Sequence, residues 1–335
     1  MWWILKTFAD KGLLYRGHKS VPYCPRCGTA LSSHEVAQGY KDVEDPSLTF
    51  VAEVLTENGD PDPRKRAILA WTTTPWTLPA NLAVAYNSRF DYQLIRVGEE
   101  ALLVSVPLLD TIVEKCGWAG DFEILRTVQS DQLAEMEYHH PFCNRKGKLF
   151  AGDMFVDDSA GTGLVHIAPG HGQDDYQTGL KYDLPPFSPV DAAGKFTAEA
   201  GSDLEGLPVL TKGSEEITER LGDKVLLSEP YEHRYPYDWR TKKPVLMRAT
   251  DQWFASVDSF REDALRAINE VEWTPSVGKN RISAMTELRG DWCISRQRSW
   301  GLPIPAFKDK DNRVLLTKQS VKAVAAVIGK EGSNA

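Results

Sequence analysis

Between residues 47 and 105 the chain repeats one kind of segment: "SLTFVAEVL", "RAILAWTTT", "LAVAY", "FDYQLIRV" and "ALLVSV". Each is short, rich in β-branched and aromatic residues, and bounded by turn-forming residues, so each reads as a strand. "TENGDPDPRK", between the first two, reads as a hairpin or loop. Further strands are predicted at 154–157 and 163–168. Residues 185–208 are loop-rich, and "GSEEITERLG" is a helix with an acidic start. The middle of the chain, 47–222, is therefore β-rich.

The flanks read differently. Residues 1–17 predict a helix ending near "KGLLYRG", with Gly12 and Gly17 as candidate stops. Residues 18–45 are turn-rich and contain "CPRCG". Beyond 225, basic and aromatic residues interleave, with a helix over 257–270 and another in "TKQSVKAVAAVIGKEGSNA". The predicted layout is an N-terminal flank with a helix and a Cys-x-x-Cys ribbon (1–46), an inserted β-rich domain (47–222) and a return segment (223–335).

A length of 335 residues has room for two domains, and 42% hydrophobic with 26% charged residues describes a soluble globular protein. No apolar run is long enough to span a bilayer, and the amphipathic start lacks a basic leader and a cleavage site, so no membrane partner is expected. A net charge of −8 gives no global basic field, although a local groove can still be basic. Five cysteines, an odd number with one cluster, argue against a disulfide framework and for a reducing compartment. Cytoplasm fits, as does an organellar matrix.

Four stretches carry candidate chemistry. In "WTTTPWTLPAN", residues 71 to 81, threonine is either a β-branched strand former or the wall of a polar pocket. On a strand Thr72 and Thr74 face one side and Thr73 the other. Pro75 ends regular pairing, and the rigid turn that follows can hold Thr74, Thr77 and Asn81 near one another. In "GTGLVHIAPGHGQDDYQTG", His166 sits on a short strand, and Asp174 and Asp175 lie at a helix N-terminus. They are either caps or, with His171, a polar ligand-binding cluster. The spacing matches no familiar zinc pattern.

"CPRCG" holds Cys24 and Cys27, half of a zinc ribbon. Where a second pair belongs, in "YPYDWRTKKP", Asp238 and Thr241 stand instead, with His34 and His233 as other candidates. Finally, "DWCISRQRSWGLPIPAF" sets Arg296 and Arg298 between Trp292 and Trp300. This is either a phosphate- and base-contacting segment or a buried strand with paired arginines.

Together the four stretches resemble the isoleucyl-tRNA synthetases, a class I aminoacyl-tRNA synthetase family, over essentially the whole chain. "WTTTPWTLPANLAVAYN" is similar to that family's editing-site threonine segment; valyl and leucyl relatives carry Thr-Thr-Arg-Pro where this chain has Thr74-Pro75-Trp76. "GTGLVHIAPGHGQDDYQTGLKYDL" is similar to its second editing motif. The resemblance implies an α+β fold: a β-barrel-like editing domain inserted between partial segments of a Rossmann catalytic core. The H-I-G-H and K-M-S-K-S signatures are absent, so the sequence looks like an internal piece. ATP is expected to serve only the full-length synthetase.

The implied activity is hydrolysis of valine misattached to isoleucine tRNA. One methylene discriminates by only about 1–3 kcal/mol in an apolar pocket, so a second sieve is needed. By resemblance, Asp175 binds the α-ammonium, His166 orients the ester and excludes isoleucine, and Thr74 serves catalysis by holding the attacking water. Thr72, Thr73, Thr77, Asn81, His171 and Asp174 complete the substrate site. No covalent nucleophile is expected. Editing requires no cofactor; in the ribbon, where Asp238 and Thr241 replace the family's second Cys pair, Cys24 and Cys27 are either half of a zinc site or ordinary reduced cysteines. The implied partners are the valine-bearing 3′ end of tRNA(Ile) and the rest of the synthetase chain, with a monomer expected. A freestanding trans-editing deacylase and a non-hydrolytic tRNA-binding scaffold are the competing readings.

Overall fold

The structure, a computed structural model, describes residues 1–55, 66–311 and 313–332. The loop expected at "TENGDPDPRK" lies outside the described residues. In chain order the first elements are α1 (Trp2–Asp10), β1 (Leu14–Cys24), β2 (Thr29–Ala30), α2 (Ser33–Ala37), β3 (Tyr40–Glu53) and β4 (Arg66–Thr72). There follow β5 (Ala83–Tyr86), β6 (Tyr92–Val97), β7 (Glu100–Ser105), α3 (Leu109–Lys115), β8 (Phe122–Val128), α4 (Ser130–Ala134), β9 (Glu137–His139) and β10 (Lys146–Ala151). Then come β11 (Leu164–Ile167), α5 (Gln173–Lys181), α6 (Ser214–Leu221), β12 (Val225–Pro236) and β13 (Leu246–Ala255). The chain continues through α7 (Asp258–Glu270), α8 (Val277–Glu287), β14 (Trp292–Cys293), a short pair β15 (Phe307–Lys308) and β16 (Val314–Leu315), and α9 (Lys318–Glu331).

Two compact units form. One comprises Met1–His18, Thr29–Ser33 and Thr250–Ala335; the other comprises Lys19–Gly28 and His34–Ala249. The second unit is α+β and carries a ten-stranded sheet of order β8-β6-β7-β4-β11-β5-β10-β9, with β3 bonded to both β4 and β12. This path closes on itself. β3 lies antiparallel beside β4 from Leu48↔Thr72 to Glu53↔Ala67. Just past the end of β3, Val54 bridges Tyr138 of β9, and the Leu55 amide donates to the Glu137 carbonyl at 2.8 Å. The cycle β3-β4-β11-β5-β10-β9 is thus a small barrel, which removes the sheet edges that would otherwise stay unpaired. β7 pairs with the start of β4, and β12 extends β3 as a long ribbon.

β4 is central because its sequence allows it. Ala67, Ile68, Leu69 and Ala70 are all buried, so the strand is covered on both faces. α3 lays Leu109, Ile112 and Val113 on Ala67, Leu69, Ile95, Leu102 and Val104. Each fully buried Leu or Ile there contributes about 1.5–3 kcal/mol. A second cluster joins Ala83, Ala85, Val156 and Ile167, with Phe150, Phe155 and Leu184 against it.

Several sequence expectations change. The first helix stops at Asp10 rather than near residue 17: Gly12, at φ +70°, takes the stop, and Leu14 onward joins β1. α1 has no buried residue, whereas β1 buries Val21, Tyr23 and Cys24, so pairing overrides the amphipathic pattern. No strand forms at 154–157. There the Phe155 and Val156 amides turn back onto the Gly152 carbonyl, and Val156 is buried all the same. The neighbouring strand is β10, while β11 falls inside the predicted 163–168. The sheet unit is also wider than 47–222, because β3 begins at Tyr40 and β12 pairs with it up to Pro236.

In the other unit β14 pairs with the end of β13, Phe254 opposite Cys293 and Ala255 opposite Trp292. The Arg296 segment is not a long buried strand: Nη1 of Arg296 donates to the Cys293 and Ser295 carbonyls at 3.0 and 2.7 Å. Trp3, Leu288 and Trp300 stand largely exposed. Among the described residues no helix is long and apolar enough to cross a membrane.

Gly170, in the loop that leads to His171, tests the packing. A Cβ there would lie 2.1 Å from the Phe187 carbonyl oxygen, a backbone atom that cannot swing aside. Gly170→Ala is expected to cost about 1–3 kcal/mol and to lower the calorimetric melting temperature by several degrees. An unchanged melt would mean that this loop yields freely.

Candidate active site

β4 ends at Thr72, so the strand does not carry Thr73 and Thr74 as the sequence suggested. Proline lacks an amide hydrogen and holds φ near −65°, and a 3-10 turn takes over from Pro75 to Ala80 with Thr74 as its N-cap. The threonines bend round a corner. The Thr74 amide donates to Thr72 Oγ1 at 3.1 Å, and the Thr77 amide and hydroxyl both donate to the Thr74 carbonyl, at 3.0 and 2.8 Å.

Across the turn, β11 supplies Val165 and His166, and the following loop and α5 supply His171 and Asp175. These four and Trp71, Thr72, Thr73, Thr74 and Thr77 line one cavity of about 170 Å³. At about 30 Å³ per water it holds roughly five or six waters, the scale of a small aminoacyl group. The lining contains neither Ser nor Cys. A neighbouring hollow of about 400 Å³ shares Thr73 and Thr74 and is also lined by Trp76, Tyr235 and Tyr237.

His166 is held at both ring nitrogens. Asn81 Nδ2 lies 2.8 Å from its Nδ1 and also donates to the Ala83 carbonyl at 2.8 Å. Asn81 Oδ1 accepts from the Tyr138 hydroxyl at 2.5 Å. These partners set the amide orientation, so Nδ1 of His166 is an acceptor and Nε2 carries the proton. That proton goes to Thr77 Oγ1, 2.8 Å away. Burial, reinforced by the nearby His140 and His171, lowers its pKa to about 3, so the ring is neutral. Both ring nitrogens of His166 are thus engaged by protein side chains.

His171 is different. Its Nδ1 donates to the Met247 carbonyl at 2.9 Å, which leaves Nε2 as a lone pair, and its ring packs edge-on against Trp76 at 5.0 Å. Burial holds its pKa down, at about 4. Asp175 stands in the first turn of α5, where helix amides favour a carboxylate. Its Oδ1 accepts from the Ala168 amide at 2.7 Å. Burial nonetheless outweighs that bond and lifts its pKa to about 6. A carboxylate so desolvated gains from any cation placed against it.

The structure thus brings Thr72, Thr73, Thr74, Thr77, His166, His171 and Asp175 together. Asn81 lies behind His166 rather than in the lining. Asp174 is exposed and outside the lining. Sequence reasoning missed the clasp behind the turn. His140 Nε2 donates to the Leu78 carbonyl at 2.8 Å, and Arg145 donates to the Asn81 and Pro79 carbonyls at 2.8 and 3.0 Å. With Tyr138, these residues come from β9 and the loop between β9 and β10, and no local motif announces them.

Cys24, Cys27 and Asp238 place their ligand atoms within 4.8 Å of one another. The fourth position falls to Thr241, whose Oγ1 lies 3.8 Å from Cys24 Sγ. Asp238 Oδ1 already accepts from the Arg240 and Thr241 amides at 2.6 and 3.1 Å. Burial, with a hydrogen bond to Asp238, pushes the Cys24 thiol up to about 12. A closed structural zinc site needs four anionic or imidazole ligands, and a neutral threonine hydroxyl is a poor substitute. The donor set does not fit.

The larger unit is thus an α+β barrel body with a small hydroxyl-, imidazole- and carboxylate-lined cavity. The family model for class I tRNA synthetases (I, L, M and V) matches residues 1–335, and the chain belongs to that family. It is 46% identical over 340 residues to the isoleucine–tRNA ligase of Microcystis aeruginosa, covering 99% of this chain and 35% of that protein. It is 45% identical over 343 residues to the isoleucine–tRNA ligase of Acaryochloris marina, with the same coverage, 99% and 35%. The chain therefore spans about a third of the length of the curated relatives it matches. A solved structure titled "The crystal structure of GlLeuRS-CP1" has a TM-score of 0.44 at 12% identity, over 55% of this chain and 98% of that one.

The buried histidines set an acid limit. His140, His166 and His171 have folded pKa values of about 4, 3 and 4, against 6.5 when exposed. Between pH 6.5 and 4 the unfolded chain binds these protons and the folded one does not, so stability falls with falling pH. Asp175, raised from 3.8 to about 6, acts oppositely over that window but is one group against three. Urea midpoints are expected to be lower at pH 5 than at pH 7.5. An equal or higher midpoint at pH 5 would contradict the assigned histidine states.

Proposed function

We propose that the cavity hydrolyses the ester of valyl-tRNA(Ile), the editing step of an isoleucine–tRNA ligase. The observation that carries this reading is the single cavity of about 170 Å³ in which the threonine corner meets His166, His171 and Asp175. Asp175 anchors the α-ammonium of the aminoacyl group. Its carboxylate has little water around it and gains most from an ion partner. The threonine hydroxyls hold the attacking water and the ribose end. Water oxygen bonds to the ester carbonyl carbon, the bond to the ribose oxygen breaks, and a proton passes to that oxygen. Free valine and intact tRNA result. With no Ser or Cys in the lining, positioned water is the nucleophile. His166 shapes the wall and excludes the extra methylene of isoleucine.

The partners in this reading are the 3′ end of tRNA(Ile) and the remainder of the synthetase chain. Aminoacylation and ATP binding belong to the whole enzyme. We further propose that the ribbon folds without zinc. Elemental analysis of purified chain is expected to give well under one zinc per molecule, with the melting temperature unmoved by a chelator. Stoichiometric zinc would reverse that proposal.

The central test is deacylation of valyl-tRNA(Ile) by purified chain. Asp175→Ala is expected to lose at least about tenfold in kcat/KM while keeping its far-UV spectrum. Because Asp175 must be ionised to hold the ammonium, kcat/KM should rise as pH passes through about 6. Asp175→Asn should erase that limb. Binding of the tRNA without hydrolysis above the spontaneous rate would favour the scaffold reading instead.

A further inference from the structure

We propose that Tyr138 is a positioning residue for this cavity: its hydroxyl fixes the Asn81 amide and, through it, the His166 tautomer and the hydrogen-bond direction of Thr77 and Thr74. The chain of bonds runs from the barrel seam to the pocket. Tyr138 belongs to β9, bridges Val54 just past the end of β3, and is 1% exposed. Opposite it in the ladder stands Gly147. A Cβ at that glycine would come within 2.4 Å of the tyrosine Cζ and hydroxyl oxygen, so the ring lies where only glycine leaves room. Burial pushes the Tyr138 pKa upward, which keeps the phenol a donor.

The direction of each bond follows from fixed acceptors. Asn81 Oδ1 accepts from Tyr138, and Nδ2 serves both the Ala83 carbonyl and His166 Nδ1. His166 Nε2–H then donates to Thr77 Oγ1, and the Thr77 proton goes to the Thr74 carbonyl. Thr77 Oγ1 retains a lone pair for the Thr74 hydroxyl, 3.3 Å away and nearer than Thr72 Oγ1 at 3.5 Å. Thr74 is thereby a donor backward and an acceptor toward the cavity. If the amide turned over, Nδ1 would need the proton, Nε2 would become the acceptor, and Thr77 would leave the Thr74 carbonyl. Deleting the phenol oxygen leaves a buried amide oxygen with no donor, so that the Ala83 carbonyl alone holds the amide's orientation.

The catalytic consequence rests on the hydrolytic reading; the tautomer does not. Tyr138→Phe keeps the ring and removes only the hydroxyl. Nitrogen-15 NMR on histidine-labelled protein should show the Nε2–H form of His166 in the parent and a shift toward Nδ1–H in Tyr138→Phe. Deacylation of valyl-tRNA(Ile) should lose about tenfold in kcat, with KM within about twofold. An Nε2–H signal unchanged in the variant overturns the proposal, whether or not the rate falls. A tautomer shift in a protein whose parent form never hydrolyses the ester supports the positioning role and removes the hydrolytic reading. Should Tyr138→Phe fail to fold, Asn81→Asp carries the measurement. Its carboxylate faces Nδ1 with an acceptor and should place the proton there; retention of Nε2–H would sink the idea.

Discussion

The bonds from the β9–β10 segment to the 75–80 turn hold the site. A 3-10 turn with prolines at both 75 and 79 buries carbonyls that no strand or helix ladder can satisfy. Arg145 takes the Pro79 and Asn81 carbonyls, His140 takes that of Leu78, and Tyr138 takes the Asn81 side chain. Unmet, each such group would cost about 1–3 kcal/mol. Met, they pin the threonine corner against the closing seam of the barrel. The cavity wall is therefore tied to the barrel by side-chain hydrogen bonds from outside the turn.

Within that frame burial works in opposite senses on two kinds of group. It keeps His140, His166 and His171 neutral, and it raises Asp175 toward protonation. The result is a lining of neutral imidazoles around one carboxylate whose ionisation falls off as pH drops through about 6, so a cation set against it would favour the ionised form. The α5 N-terminus and the Ala168 amide keep that carboxylate from losing its charge altogether.

How much of this was legible depended on sequence distance. Thr72, Thr73, Thr74 and Thr77 are neighbours in the chain, and the Pro75 stop and the Gly-bounded "LVHIA" strand are local signals. Their meeting in one cavity followed from motifs that lie close together or resemble a known pair. Tyr138, His140 and Arg145 lie some sixty residues from the turn they satisfy. Nothing in "EMEYHHPFCNRKGKLF" distinguishes a clasp from an ordinary strand and loop. Gly147 reads as a weak strand residue until the tyrosine opposite it is known. The apolar run at 154–157 likewise suggested a strand, whereas the chain turns there and only Val156 is buried, because a short apolar run satisfies either conformation.

The ribbon makes the same point about side-chain chemistry. Cys24, Cys27, Asp238 and Thr241 converge as a metal ribbon requires, yet hydrogen bonds occupy the positions that thiolates would. Asp238 caps the turn of residues 238–241 through its Oδ1, and the Cys24 thiol is protonated against it. Zinc entry would demand that this thiol ionise in a buried place. Two hydrogen-bonded turns can hold a ribbon when a protein body already surrounds it, and here the ribbon residues belong to the larger compact unit. Convergence of backbone positions therefore does not by itself supply a donor set, and the side chains that stand there decide what the ribbon can hold.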